Sequence, residues 1–301
     1  MRTSSLAVYR CPACGGSLAL RGGGDRAVVV DGVLDCGCGK SFTVLDAIPD
    51  FVHPESLLPS DEESRREYNQ GAENYDAGLR WLFDSFFEDE NAVRSRMADR
   101  LGARPGSRIL EVGCGTGKDS EHIVQRIQPG GALFLQDLSL RMLELARKAL
   151  VGAPADLEFH LGNVLHLPFG DHEFDGVFHF GGLNTFGDKS RALREMTRVV
   201  RPGGKVVVGD ESAAPWLRRL RFGRVIMKAN PLYRHLPPLA ALPENARDAS
   251  LSWILGNAFY LIEFRVGDGP PPLDLDLPIP GKRGGTLRSR YDGSRRRKSA
   301  G

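Results

Sequence analysis

Cysteine is scarce in this chain, at 5 of 301 residues, and no apolar run approaches the ~18 residues that a membrane-crossing helix needs. Excess charge is missing as well. Forty Lys+Arg stand against thirty-eight Asp+Glu, so the bulk charge of +2 does not by itself recruit a polyanion. So few cysteines exclude a disulfide scaffold, and hydrophobic residues at 41% exclude wholesale disorder. The first residues, MRTSSLAVYRCPACGG, hold no long apolar stretch and reach a cysteine pair at once, which is not the pattern of a secretory signal. The expectation is a cytoplasmic protein without membrane insertion.

The cysteines that are present are unevenly placed, four of the five falling within the first 38 residues. Cys11-Pro12-Ala13-Cys14-Gly15 is followed, after 21 intervening residues, by Cys36-Gly37-Cys38-Gly39-Lys40. Two thiolate pairs on two tight turns can close a tetrahedral zinc site, with glycines letting the backbone fold round the ion. The second pair is one residue shorter than the usual ribbon. Four thiolates fill the coordination of the ion, so zinc here would be structural. A redox Cys-x-x-Cys or unbound thiols are the alternatives.

Along the chain, residues 1–52 form the cysteine module, with strands expected at 27–30 and 41–44. Residues 53–104 are a charged linker with helices, the first starting at Ser60-Asp61-Glu62-Glu63 with acids in its first turn. Residues 105–266 alternate β-branched runs (108–112, 132–137, 157–161, 174–180, 205–209) with amphipathic segments (118–127, 139–150, 190–200). That alternation predicts an α/β fold with a doubly wound, mostly parallel, Rossmann-like sheet. Within it, 213–257 reads as a proline-studded insert that covers a substrate, with a helix from about 213 to 228. Segments 251–255 and 258–266 read as a helix ending at Gly256 and then a strand, or else as a hairpin round Gly256-Asn257. Residues 267–301 read as an irregular, basic, disordered tail.

The main constellation is Ile109-Leu110-Glu111-Val112-Gly113-Cys114-Gly115-Thr116-Gly117, an apolar strand entering a Gly-x-Gly-x-Gly turn. Glycines let the backbone come within contact distance of a ligand that any Cβ would push away. Twenty residues after Gly117 comes Asp137, at a strand end where an acid meets the hydroxyls of an adenosine ribose. A dinucleotide fingerprint would need glycine at position 118, which is Lys118. Glu111 would repel a pyrophosphate but suits a ligand carrying an ammonium and a sulfonium. Blander readings stand beside these: Glu111 capping the loop, Asp137 as a helix N-cap, Cys114 as a small filler.

Downstream, Leu161-Gly162-Asn163-Val164-Leu165-His166-Leu167-Pro168-Phe169, Glu173-Phe174-Asp175-Gly176-Val177 and Arg198-Val199-Val200-Arg201-Pro202-Gly203-Gly204-Lys205 follow in order. With ILEVGCGTG and Asp137, this resembles the class I S-adenosylmethionine-dependent methyltransferases, in particular the ubiquinone/menaquinone type, over about residues 65–210. The resemblance implies that Glu111, Gly113 and Gly115 line the methionine part of S-adenosyl-L-methionine, with Cys114 and Gly117 in the same cofactor-binding loop. It places Asp137 on the ribose, Leu138 and Met142 beside the adenine, and Asn163 and Val164 at the adenine edge. Phe180 would sit near the sulfonium, and Tyr75 on a helix closing over the cofactor. The family usually has Asp where this chain has Asn163. The cysteine module, ending Lys40-Ser41-Phe42-Thr43-Val44-Leu45-Asp46-Ala47-Ile48-Pro49, is similar to the zinc ribbons of methyltransferase activator proteins. That similarity implies zinc on Cys11, Cys14, Cys36 and Cys38.

Methyl transfer from a sulfonium needs a base only when the acceptor is a hydroxyl or an acidic carbon. The candidates at strand ends are His179, and Asp210 with Glu211; Asn184 is placed to orient an acceptor. Three functions compete. The first is transfer to a small apolar or aromatic molecule, with Trp216, Phe222, Tyr233 and Trp253 in the cover. The second is RNA methylation, in which the zinc module and the arginine-rich end grip the substrate. Few basic residues in the module (Arg10, Arg21, Arg26, Lys40) argue against it. The third, a non-catalytic interaction module, is opposed by the intact glycine loop.

Overall fold

Short β-branched runs bounded by glycine become strands, and the order in which the chain visits them decides where a ligand sits. The computed structural model describes residues 1–22, 27–281 and 284–298. The cysteine module supplies β1 (Leu18–Arg21), β2 (Gly32–Cys36), β3 (Ser41–Leu45) and β4 (Ile48–Phe51). Two helices follow, α1 (Pro59–Ser85) and α2 (Glu90–Arg100). Next come β5 (Arg108–Val112), α3 (Lys118–Ile127), β6 (Ala132–Asp137), α4 (Leu140–Ala149) and β7 (Asp156–Gly162). The return half is β8 (Phe174–Phe180), α5 (Lys189–Arg198), β9 (Val200–Glu211), α6 (Arg221–Ala229), β10 (Ala246–Ile254) and β11 (Phe259–Val266).

These eleven strands form one sheet in the order β1-β2-β3-β4-β7-β6-β5-β8-β9-β11-β10. From β4 to β9 neighbours run parallel, and both flanks are antiparallel. The chain starts at β5, moves outward to β6 and β7, then returns to β8 on the other side of β5. The carboxyl ends of β5 and β8 therefore face a switch point, where open α/β sheets bind ligands. Alternation along each strand feeds two apolar layers. Ile109, Leu133, Leu135 and Val207 pack with Met97, Ile123 and Leu143 of α2, α3 and α4. Leu110, Phe134, Val177 and Val208 pack with Leu193 and Met196 of α5.

The cysteine module has no core of its own. Its Tyr9 ring lies 4.9 Å from Phe51, 5.3 Å from Phe169 and 5.8 Å from Phe134, inside a layer of the main sheet. Arg10 N donates to Pro168 O at 2.8 Å, and buried Glu158 accepts from Arg2 Nε at 2.8 Å and Ser5 Oγ at 2.7 Å. Met1–Gly267 is accordingly one unit, not a ribbon tethered to a separate domain.

Four expectations are corrected. Residues 27–30 make only an isolated bridge, Val28 to Arg2; the strand is Gly32–Cys36, which pairs with both β1 and β3. The helix expected from 213 is broken into a 3-10 turn, Leu217–Arg219, and α6, because Gly223 sits against the Leu217 carbonyl where a Cβ would fall within 1.9 Å. Residues 246–266 are a hairpin, not a helix and strand. Pairing of β11 along β9 selects strand, and Leu255, Gly256 and Asn257 take φ of 47°, 60° and 64° to turn it. In the separate unit Asp268–Gly301, Leu287–Lys298 is a helix (α7) where an irregular tail is expected. Lys282 and Arg283 of that tail, like Arg26, lie outside the described residues.

Candidate active site

Gly113, Gly115 and Gly117 take φ of 63°, 53° and 87°, the left-handed region that favours glycine, and so turn β5 into α3. A Cβ on Gly113 would stand 3.3 Å from His179 Nδ1, and one on Gly115 would stand 3.7 Å from the Tyr75 ring. Asp137, at the end of β6, holds this turn. Its Oδ2 accepts from Gly115 N at 2.9 Å and its Oδ1 from Ser139 N at 2.8 Å. Burial pushes the Asp137 carboxyl up to about 6 against the pull of those backbone donors. A buried carboxylate with lone pairs left over, beside a glycine cradle, fits a ribose diol. Gln136, which the sequence does not single out, accepts from Gly113 N at 3.3 Å and donates to Gly162 O.

These groups border an open cavity of about 670 Å³. Gly113, Gly115, Asp137, Leu138, Met142, Asn163 and Val164 all line it, so most of the residues chosen for the cofactor come together. Asn163 spends its amide locally: Oδ1 accepts from Leu165 N at 3.0 Å and Nδ2 donates to His53 O at 3.3 Å. Overhead lies α1, carrying Tyr68 and Tyr75 into the same cavity. Thr116 Oγ1 donates to Asp76 at 2.6 Å, Ser139 Oγ to Asn69 at 2.9 Å, and Gly187 N to Asp61 at 2.8 Å, which together pin that helix.

Glu111 and Gly117 depart from expectation, since neither lines a cavity. Glu111 is buried beneath the loop, where Ser120 Oγ of α3 donates to it at 2.5 Å and burial pushes its carboxyl well above the usual range. Gly117 is the N-cap of α3, and a Cβ there would press on Ala146 and Leu150 of α4 at 3.3–3.4 Å. Its role is helix packing.

Cys114 and Phe180 face a second cavity of about 820 Å³, which meets the first at Tyr68, Tyr75, Gly113, Gly115 and Gly181. Its apolar wall is Leu79, Leu82, Phe83, Phe180, Leu232 and Phe259. Its polar groups include Arg94, Lys118, Asp119 and Glu211. Arg94, unremarked in the sequence, is buried between Asp119 and Glu90, each at 2.8 Å.

His179, the base candidate, lies on the first cavity, not the second. Its Nδ1 is 2.8 Å from Val112 O, so Nδ1 is the protonated nitrogen, and burial holds the ring neutral by lowering its pKa. Asp210 accepts from three backbone donors, Asn184 N, Gly182 N at 3.4 Å and Glu211 N at 2.8 Å. Asn184, which lines the second cavity, donates its Nδ2 to Glu211 O at 2.7 Å and so ties its loop to β9. Glu211 offers a carboxyl to the second cavity, and burial, then Asp210, pushes it well above the usual range.

Far from both cavities, the Sγ atoms of Cys11, Cys14, Cys36 and Cys38 all lie within 4.8 Å of one another. Cys11–Cys38 is 3.7 Å and Cys14–Cys36 is 3.5 Å. A zinc tetrahedron with ~2.3 Å bonds has edges of about 3.8 Å, so the set fits that ion. A Cβ on Gly16 would crowd Cys14 Sγ and Cys36 Sγ at 3.2 Å each.

Residues 110–208 match the family model described as a methyltransferase domain. The chain is 34% identical over 171 residues to a demethylmenaquinone methyltransferase of Symbiobacterium thermophilum, covering 55% of this chain and 66% of that protein. It is 38% identical over 112 residues to a ubiquinone/menaquinone biosynthesis C-methyltransferase of Hahella chejuensis, covering 36% and 45%. The chain thus spans about half to two thirds of the length of these relatives. Among solved structures, the phosphoethanolamine N-methyltransferase 2 of Haemonchus contortus superposes with a TM-score of 0.53 at 14% identity, covering 71% of this chain and 61% of that one. The cyclase SpnF superposes with 0.50 at 16% identity, covering 71% and 98%, so the fold alone does not assign a reaction. Sequence and glycine-loop geometry together do assign the family. The chain carries the methyltransferase domain of the class I S-adenosylmethionine-dependent family.

Proposed function

We propose that the whole chain transfers the methyl group of S-adenosyl-L-methionine to a small, largely apolar or aromatic acceptor. The observation that carries this reading is the pair of cavities meeting at Gly113 and Gly181: one holds Asp137 and an apolar slot, the other an apolar wall with carboxyls at its polar end, Glu211 among them. Asp137 would hold the ribose, with Leu138, Met142 and Val164 round the adenine. Bound there, the sulfonium supplies an activated methyl group. The protein's own work is alignment and exclusion of water, done by α1 with Tyr68 and Tyr75 overhead. Glu211 would take the proton of a hydroxyl or acidic carbon on the acceptor. The names of the quinone-methylating relatives support a small-molecule acceptor. A structural zinc ion on the four cysteines belongs to the same reading, supported by their spacing, and elemental analysis of protein purified without chelator tests it.

The deciding experiment is transfer of labelled methyl from S-adenosyl-L-methionine, comparing a small-molecule cell extract with total RNA. Label in organic-soluble product is expected. Label only in RNA overturns the acceptor class, and no transfer to either overturns the enzyme.

A further inference from the structure

Residues 216–234, WLRRLRFGRVIMKANPLYR, hold six cations and no acid in a chain of net charge +2. Helix α6 lies in this stretch and has three faces. Gly223 is buried against the Leu217 carbonyl, and Ile226 and Met227 pack on the core. Arg221, Arg224 and Lys228 recur at helical spacing on an outward stripe, and Phe222 and Val225 form a second outward stripe beside it. Trp216 and Leu220, just before the helix, are exposed as well, and Phe222 and Val225 are 48% and 58% exposed. Among the described residues, no ion pair or side-chain hydrogen bond engages Arg219, Arg221, Arg224 or Lys228.

We propose that this face docks on the surface of a bilayer containing anionic lipid. Cations and apolar side chains side by side on one exposed helix are what the headgroup–acyl boundary satisfies together, phosphates taking the first and chain tops the second. A polyanion such as RNA would pair the arginines but leave Leu220 and Val225 nothing to contact. A second copy of this chain would set six cations against six across a two-fold interface. The docked face adjoins the second cavity. Leu232 of the same stretch lines that cavity, and the Phe222 ring meets Phe86 at 6.3 Å, which meets the cavity residue Phe259 at 6.5 Å. A lipophilic acceptor could therefore pass from the bilayer to Glu211 without crossing water. This last step rests on the proposed function; the docking does not.

The test is co-sedimentation of the full chain with vesicles of phosphatidylcholine, with and without phosphatidylglycerol, together with S-adenosyl-L-methionine calorimetry on each variant as a check on folding. Partition onto the anionic vesicles alone, weakening with salt, is expected. The triple variant R221E/R224E/K228E should weaken it about 100-fold, and F222S/V225S about tenfold or more. Variants that partition like the parent would overturn the proposal, because the charge would then reside elsewhere, as in the basic C-terminal stretch. Equal binding to both vesicle types would overturn it too, as would a concentration-dependent dimer that these substitutions abolish, or RNA binding with no vesicle binding. Failure here leaves the methyl-transfer assay untouched, so the two readings fall separately.

Discussion

The two sides of the cleft are built differently. The side proposed for the donor is assembled from short local runs: Gly113 and Gly115 of the glycine turn, then Gln136 to Met142, then Asn163 and Val164. The side proposed for the acceptor takes Leu79 from α1, Arg94 from α2, Phe180 from β8, Glu211 from β9, Leu232 from a turn and Phe259 from β11. A ligand gripped by backbone and one carboxylate is encoded in local spacing. A ligand enclosed by walls is encoded in topology, so its pocket can be recut without touching the donor loop.

The sharpest test of that division is Asp137→Ala. It removes acceptors for the ribose hydroxyls and releases the Gly115 N–H as well. Charge-assisted bonds of about 1.5–3 kcal/mol each make the expected loss of S-adenosyl-L-methionine affinity at least about 100-fold. Calorimetry giving an affinity within about threefold of the parent's would refute the ribose assignment.

On the acceptor side, Glu211→Gln keeps the shape and removes the base. The turnover kcat should fall by about 100-fold, the low end of what a general base contributes, with cofactor affinity nearly unchanged. An undiminished kcat would mean that the acceptor is already nucleophilic, an amine or thiol for example. A parallel drop in cofactor affinity would break the comparison, because the two cavities would then be one.

The same contrast explains what could be read from the chain. The strands at 108–112, 132–137 and 174–180 are legible because a β-branched run, a glycine turn and an acid at the strand end depend on neighbours only. Glu111 is harder to read: its spacing matches a ligand contact, while in the fold Ser120, one turn into α3, donates to its carboxylate below the loop. Arg94 and Gln136 carry no motif and become visible only once α2 and β6 are in place. The hairpin at 246–266 stands in the sequence only as one of two readings, because its residues are ambiguous until β9 offers an edge to pair with.

A smaller effect separates the sides by pH. In the free protein burial raises Asp137 to about 6, above the unfolded value. Its contribution to stability is therefore present below the unfolded pKa and lost as pH rises through about 6. Cofactor binding needs the ionised form and runs the other way: affinity should weaken about tenfold for each pH unit below about 6. Calorimetry near pH 5 and near pH 7.5 (about two and a half units apart) checks the sign. A flat profile would mean that the carboxylate stays ionised through another contact.

The smallest expected effect concerns the C-terminal stretch, and it bears on which acceptor the second cavity serves. Residues 282–298 hold Lys282, Arg283, Arg288, Arg290, Arg295, Arg296, Arg297 and Lys298 against one acid, Asp292. Arg288 is already engaged, its Nε 2.8 Å from Asp276 Oδ1 within the same unit. If RNA were the substrate, several of these cations would contact phosphates, and activity would fall steeply with salt, with a slope near 0.7 per contact on single strands. A small acceptor enclosed by Phe180, Leu232 and Phe259 has no use for them. Deleting residues 285–301 should then change turnover by less than about threefold, under ~1 kcal/mol in barrier. Cofactor binding that survives the deletion while activity collapses, in a manner that added salt mimics in the intact chain, would show that the acceptor is gripped from outside the cleft and is a nucleic acid.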